Sequence, residues 1–372
     1  MIFAHAPDAA APFLTLGLLS DIAQSRGSLD CHAAFPRREI GILGRIGALA
    51  APLPRCCGGL GLGTCSGAAA LAVQVLGDLG KANLSLARLY EGHVNAVKLV
   101  TRYGAPAQIR RMADDIAQGY MFAIWNTESG TGVMLEPVPQ GFRLKGKKMF
   151  ASGAGFLRRA IVTARAPDGG IVLVHAEIDP AVQPFSHAHW RLQGMQATAT
   201  GEVDLTGIGV AADAIIGTTG DYLREPDFSA GAWRTLAAQL GAMRELYVLF
   251  LADLKHTGRG THPIQRARLA EIAMACQTAS LWVDACAYKA EGGTEQPASV
   301  VAFVNLARAA VSRAAEEIIT RVQRGIGARA FLTSNPVEQV ARDLAFYLRQ
   351  PAPDQTFDEA AGFLLGHEAC IS

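Results

Sequence analysis

The sequence predicts an α+β chain in three parts: an N-terminal helical domain (1–119), a central antiparallel β domain (120–225) and a C-terminal four-helix bundle (226–372). Three observations carry this. Apolar residues recur at helical spacing through the first third; short extended runs bounded by Gly, Pro and Asp replace them from Tyr120; and long helical segments return after about Pro226. With 372 residues, half of them hydrophobic and 18% charged, the chain has ample apolar surface for a large core spread over more than one unit.

Taken in order, Thr15 to Ser25 carries apolar residues near i, i+3 and i+4. Phe35-Pro36 then opens Arg37 to Ala50, with Ile40, Leu43 and Ile46 on one face. Pro52, Pro54 and the run Gly58 to Gly63 interrupt the pattern. No strand precedes that run and no Lys-Ser/Thr follows it, so it reads as an interhelical turn rather than a phosphate cradle. Helices resume over Ser66 to Leu79, Ser85 to Tyr103 and Ala107 to Gln118, the last closed by Gly119. Strands are expected at Tyr120–Trp125, Gly141–Leu144, Arg159–Ala164, Ile171–His175 and Gly201–Leu205. The C-terminal helices are expected at Ala232–His256, Pro263–Glu291, Pro297–Arg324 and Pro336–Leu348, with a short one near Phe357 to Leu365.

Composition narrows the partners. Thirty-four basic residues face 33 acidic ones, so no net field draws the chain to nucleic acid or an anionic membrane. Seven cysteines, an odd number over a long chain, do not make a secreted disulfide framework, which points to a reducing cytoplasm. Cys56, Cys57 and Cys65 lack the partners of a metal site. The N-terminus has no basic region followed by an apolar run, and no apolar run of membrane-spanning length is read.

The most informative stretch is Ala123 to Gly155, where two extended segments end in Thr127-Glu128-Ser129-Gly130 and Ala151-Ser152-Gly153. Such ends bring backbone N–H groups close to a flat polar ligand. The surrounding order of motifs resembles the acyl-CoA dehydrogenase family over nearly the whole chain. Phe35-Pro36 and Pro54 to Gly61 are similar to its early signatures, and Arg102 to Gln108 to the segment before its β domain. Thr127 to Gly132, Lys145 to Gly153 and Gly194 to Val203 are similar to three β-domain motifs, and Pro336-Val337-Glu338 with Arg342-Asp343 to a C-terminal one.

The resemblance implies FAD, held between the β domain and the C-terminal helices of a homodimer or homotetramer. It places Trp125 and Thr127 along the flavin edge, with Phe150 against the ring where the family has Trp. Ser152 stands for the family's Thr hydroxyl. These substitutions keep an aromatic face and a short hydroxyl. Arg259 and Gln265, in a segment shorter than the family norm and without its Phe, resemble the residues that approach the dinucleotide from a neighbouring subunit. Arg321, Gly325 and Gly327 match a third FAD-binding segment. The activity implied is α,β-dehydrogenation of an acyl thioester, with an electron-transfer flavoprotein as acceptor.

That chemistry needs a carboxylate to take the proton beside the thioester carbonyl. The usual register, counted from Asp343, falls on Pro351, and the alternative position around Gly231 to Arg234 also lacks a carboxylate. Asp354 is the nearest candidate, Glu245 the second. Val133 and Met134 replace a Ser and an acidic residue of the first β motif, which leaves the carrier open. The gap keeps two alternatives alongside the dehydrogenase. Phe150-Ala151-Ser152-Gly153 leans toward flavin-dependent monooxygenases of the same fold, for which His93 is a pocket candidate. The other is a non-catalytic flavin-fold relative.

Overall fold

A computed structural model describes residues 13–349 and 352–367. Residues 1–12, Gln350, Pro351 and Cys370 lie outside the described residues. Helices come first: α1 (Leu16–Ser25), α2 (Arg37–Arg45), α3 (Ala69–Ala82), α4 (Leu84–Tyr103) and α5 (Pro106–Ala117). The Thr15 hydroxyl accepts the Leu18 N–H at 3.3 Å and starts α1, and the Asn83 amide oxygen accepts the Leu86 N–H at 3.1 Å and starts α4. Helix α2 ends earlier than its apolar spacing suggests, because Gly47 takes φ +80° and turns the chain. The run Gly58 to Gly63 is an interhelical loop. A Cβ on Gly59 would lie 2.0 Å from the Leu53 carbonyl oxygen.

The central strands are β1 (Phe122–Trp125), β2 (Glu128–Val138), β3 (Gly141–Ala151), β4 (Arg159–Arg165), β5 (Ile171–Glu177), β6 (Phe185–Ser186), β7 (Gly201–Asp204), β8 (Gly209–Val210) and β9 (Ile215–Ile216). The sheet runs β6-β7-β3-β2-β4-β5-β9, with β1 on β4 and β8 on β3. Its pairing corrects the antiparallel expectation: the sheet is mixed. β1 runs parallel to β4, Phe122 beside Arg159 and Trp125 beside Val162, because the β2–β3 hairpin separates them in the chain. β2 also meets β4 in parallel at Met134 and Arg165. The sequence reading assigned no strand to β2, since Thr127-Glu128-Ser129-Gly130 read as the end of an extended segment. Gly130 and Gly132 both take positive φ within the strand, where the register shifts between Ser129 and Met134.

The remaining helices are α6 (Asp227–Ala230), α7 (Trp233–His256), α8 (Pro263–Gly292), α9 (Pro297–Ile326), α10 (Pro336–Tyr347) and α11 (Pro353–Gly366). The last four each carry proline in the first turn, where its missing N–H costs nothing. Helix α7 packs against α3, α8, α9 and α10. Its approach to α3 is backbone to backbone: a Cβ on Gly241 would lie 2.1 Å from the Gly77 carbonyl oxygen. Helix α9 is, by length and composition, apolar enough to cross a membrane, contrary to the sequence count, and it packs within the bundle between α7, α8 and α11. The six described cysteines are free thiols.

Candidate functional site

The end of β1 is held by one buried lysine. Lys148 on β3 is fully buried, and its ammonium donates to the Asn126 carbonyl at 2.9 Å, the Thr163 hydroxyl at 2.8 Å and the Glu128 carboxylate at 2.5 Å. Burial pulls its pKa below the ordinary lysine value. The Thr127 carbonyl accepts the Met149 N–H at 3.0 Å, and the Trp125 indole donates to the Ser152 carbonyl at 3.0 Å. Trp125, Thr127 and Ser152 are thereby brought together at one sheet edge. The Ser152 hydroxyl lies 3.2 Å from that of Thr200. Phe150, at φ +52° and half exposed, stands edge-on to Trp190 at 5.0 Å, and the buried Trp190 indole N–H has no partner among the described residues.

Two cavities meet beside this edge. A small one of about 10 Å³ touches Arg88, Leu89, Gly92, Ala123, Ile124 and Ser152. A larger one of about 240 Å³ lies between α4, α6, α7 and β1 and shares Arg88 and Ile124 with it. The larger cavity is walled by charge. Arg88 pairs with Glu91 at 2.5 Å, and Lys98 with Glu291 at 2.7 Å. Arg234, almost fully buried, holds Glu291 at 2.5 Å, the Gly63 carbonyl at 2.8 Å and the Asn95 amide oxygen at 3.1 Å. Asp227 accepts from Arg102 and from the Tyr103 hydroxyl, both at 3.1 Å. Burial pushes the phenols of Tyr103 and Tyr222 up to about 12, with Asp227 adding to the shift at Tyr103. A third space of about 500 Å³ shares Phe228, Ala232 and Thr235 with the charged cavity and reaches Arg313, Arg349 and Asp354.

Family models match on both sides of the sheet: the acyl-CoA dehydrogenase N-terminal domain over residues 20–120 and the acyl-CoA dehydrogenase C-terminal domain over residues 221–348. The chain belongs to the acyl-CoA dehydrogenase family. Among solved structures, butyryl-CoA dehydrogenase from Megasphaera elsdenii superposes with a TM-score of 0.84 at 18% identity, covering 97% of this chain and 99% of that one. The dibenzothiophene monooxygenase TdsC from Paenibacillus sp., with FMN and indole, gives 0.79 at 21% identity, covering 95% and 97%. At such identities these likenesses speak for the fold alone. A 3-sulfinopropanoyl-CoA desulfinase from Variovorax paradoxus is 25% identical over 157 residues, 40% of this chain. The chain spans about two fifths of the length of the curated relatives it matches, 38% and 39%.

Membership of this dehydrogenase family makes the chain a flavoprotein, and the sheet edge suits a flavin ring. Phe150 offers an exposed aromatic face, Ser152 a partly exposed hydroxyl, and Trp190 an N–H lacking an acceptor. A second group of sequence-selected residues converges elsewhere. The Gly325 carbonyl accepts from Arg259 at 2.9 Å and from Gln265 at 3.1 Å. A Cβ on Gly325 would meet the Phe250 ring at 2.4 Å, and Gly327 closes α9 at φ +78°. Arg259 is further tied to Asp253 at 2.6 Å, and Arg321, on the same helix as Gly325, pairs with Glu271 and Glu317.

The candidate bases are kept apart. Glu245 pairs with Arg26 at 3.5 Å and lines none of the three spaces. Asp354 is exposed in the first turn of α11, at the margin of the largest space. His93, proposed as a pocket residue, is completely buried: one ring nitrogen meets the Leu49 carbonyl at 2.8 Å and the other accepts the Phe122 N–H at 3.1 Å. Burial pulls its pKa down to about 4, so it is a neutral tie between α4 and β1.

The sequence reading missed the charged wall. Its signal was present: Arg88, Glu91, Asn95, Lys98 and Arg102 recur at alternating steps of three and four along a helix otherwise rich in Leu, Val and Ala, which puts them on one face.

Proposed function

We propose that this protein is a flavin-dependent oxidoreductase that dehydrogenates a short acyl thioester between its α and β carbons. The observation that carries the reading is the row of three spaces from Ser152 to Asp354, in which the charged cavity shares Arg88 and Ile124 with the small one and Phe228, Ala232 and Thr235 with the large one. When bound, the flavin supplies hydride acceptance. The chain's part is to fix the ring edge through Thr127, Phe150 and Ser152, to exclude water with Trp125 and Ile124, and to take the α-proton on the Asp354 carboxylate. FAD, rather than FMN, rests on the family resemblance, which assigns Arg259, Gln265, Arg321, Gly325 and Gly327 to the dinucleotide half. A homodimer or homotetramer, a cytoplasmic setting and an electron-transfer flavoprotein as acceptor complete the proposal.

Anaerobic titration of the purified protein with acyl-CoA thioesters, read by loss of flavin absorbance near 450 nm, tests it. Bleaching that disappears in Asp354→Asn supports dehydrogenation with that base. A second reading, oxygenation by reduced flavin, is favoured by the pairing of both carboxylates that line the charged cavity, Glu91 and Asp227. It predicts no bleaching with any thioester, and tighter retention of reduced than of oxidised flavin.

A further inference from the structure

The charged cavity is a poor receptacle for a hydrocarbon tail. Its wall carries the cations Arg88, Lys98, Arg102 and Arg234. Against them stand three carboxylates, Glu91 and Asp227 in the lining and Glu291 bonded behind Lys98 and Arg234. Four cations and three carboxylates leave one positive charge in a space of about 240 Å³, roughly eight waters' share of volume. An apolar chain entering it would strip water from paired charges and return no hydrogen bond.

Arg88 is the cation placed to use the excess. It lines both the charged cavity and the small one that reaches Ser152, and its side chain is 26% exposed. Among the described residues only its Nη1 meets an acceptor, Glu91, which leaves other donors of the guanidinium fork open toward the cavity. Lys98 and Arg234, by contrast, are spent on Glu291.

We infer that this cavity receives the far end of a short acyl group bearing a single negative charge, a carboxylate or a monoanion of similar size, held by Arg88. The inference deepens the proposed function and rests on it only for the thioester at the other end of the ligand. The charged tail would add a second acceptor to Arg88 and cancel the cavity's excess charge, whereas a methyl-ended tail of the same length does neither.

Calorimetric titration of the flavin-loaded protein with succinyl-CoA and with butyryl-CoA compares tails of equal length that differ in the terminal carboxylate. Succinyl-CoA is expected to bind at least tenfold tighter at low salt, with the ratio shrinking as ionic strength rises. Arg88→Met is expected to abolish the preference and Arg88→Lys to keep part of it. Equal affinities in the wild-type protein, or a preference for butyryl-CoA, overturn the inference without reference to any variant. If neither thioester binds, the thioester reading fails, and monomethyl succinate against methyl butyrate makes the same comparison without the carrier. A preference for the acid sustains the cavity assignment, and equal or absent binding of both esters sinks it.

Discussion

Replacing Glu291 with glutamine removes one charge from the wall of the cavity and almost no volume. In the folded chain this carboxylate, 3% exposed, accepts from the Arg234 guanidinium at 2.5 Å, the Lys98 ammonium at 2.7 Å and the Trp233 indole at 3.1 Å. A glutamine can offer one oxygen to these donors, but its amide nitrogen is itself a donor and must face one of them. Two buried cations then share a neutral acceptor. Each charge-assisted hydrogen bond contributes about 1.5–3 kcal/mol, and stripping one partner from a buried ion pair costs about 3–5 kcal/mol. The loss for Glu291→Gln is therefore expected at about 4 kcal/mol. Lys289–Glu295, also 2.7 Å apart but about one third exposed on both sides, is the control. Glu295→Gln should cost less than about 1 kcal/mol, because water screens that pair. Urea unfolding at low salt, followed by tryptophan fluorescence, compares the two variants. A Glu291→Gln shift no larger than that of Glu295→Gln would refute the claim that the cavity wall is a buried, mutually dependent network.

Other positions give predictions of different sign. Asp343 is buried and accepts the Met195 N–H at 2.6 Å; burial raises its pKa from 3.8 to about 7 despite that bond. The folded chain thus holds more protons than the unfolded one between pH 4 and 7, so this group's contribution falls as pH rises through that window, by up to about 4 kcal/mol. Asp343→Asn keeps an acceptor for Met195 and should be the more stable protein at pH 8, with the advantage vanishing near pH 4 in paired unfolding curves. Lys148→Met should take one donor from each of three acceptors at the end of β1, cost about 3 kcal/mol and release flavin on dialysis before the fold melts. Flavin retention equal to wild type would separate Lys148 from the ring edge. Gly241→Ala drives a methyl onto the Gly77 carbonyl and should cost about 3 kcal/mol, whereas Gly17→Ala, with nothing within 4 Å on α1, should be neutral or slightly stabilising in the same melts.

Helices were legible in the sequence wherever caps and apolar spacing agreed, as for α4 behind Asn83 and α8 to α10 behind their prolines. The sheet was harder to read. Local chemistry cannot say that β1 pairs in parallel with β4 across an intervening hairpin, and Gly130 and Gly132 look the same in sequence whether they end a strand or bulge one. The resemblance singled out Trp125, Thr127 and Ser152, and the structure brings these three together at one sheet edge. The same resemblance put Pro351 in the register of the base and left Asp354 and Glu245 as candidates, of which Asp354 lies at the margin of the largest of the three spaces. Glu245 turns out to be engaged by Arg26, away from all three spaces.

The charged stripe of α4 needed no resemblance to be noticed. A surface helix puts such residues toward water, and the flanking Leu86, Leu89, Tyr90, Val94 and Val97 would then form its single buried face. Here the apolar positions are too many for one face, so α4 has to be enclosed on most sides and its polar stripe has to point inward as well. An inward stripe of Arg88, Glu91, Asn95 and Lys98 survives only if partners meet it, and Arg234 with Glu291, from α7 and α8, supply them. The cavity is what remains where the partners run one carboxylate short. The same residues that make α4 costly to bury therefore set the polarity of the space between α4, α7 and β1. Variants that replace the whole stripe with leucine should accordingly gain affinity for an uncharged acyl tail while losing it for an acidic one, a reversal that affinity measurements on the two thioesters would read directly.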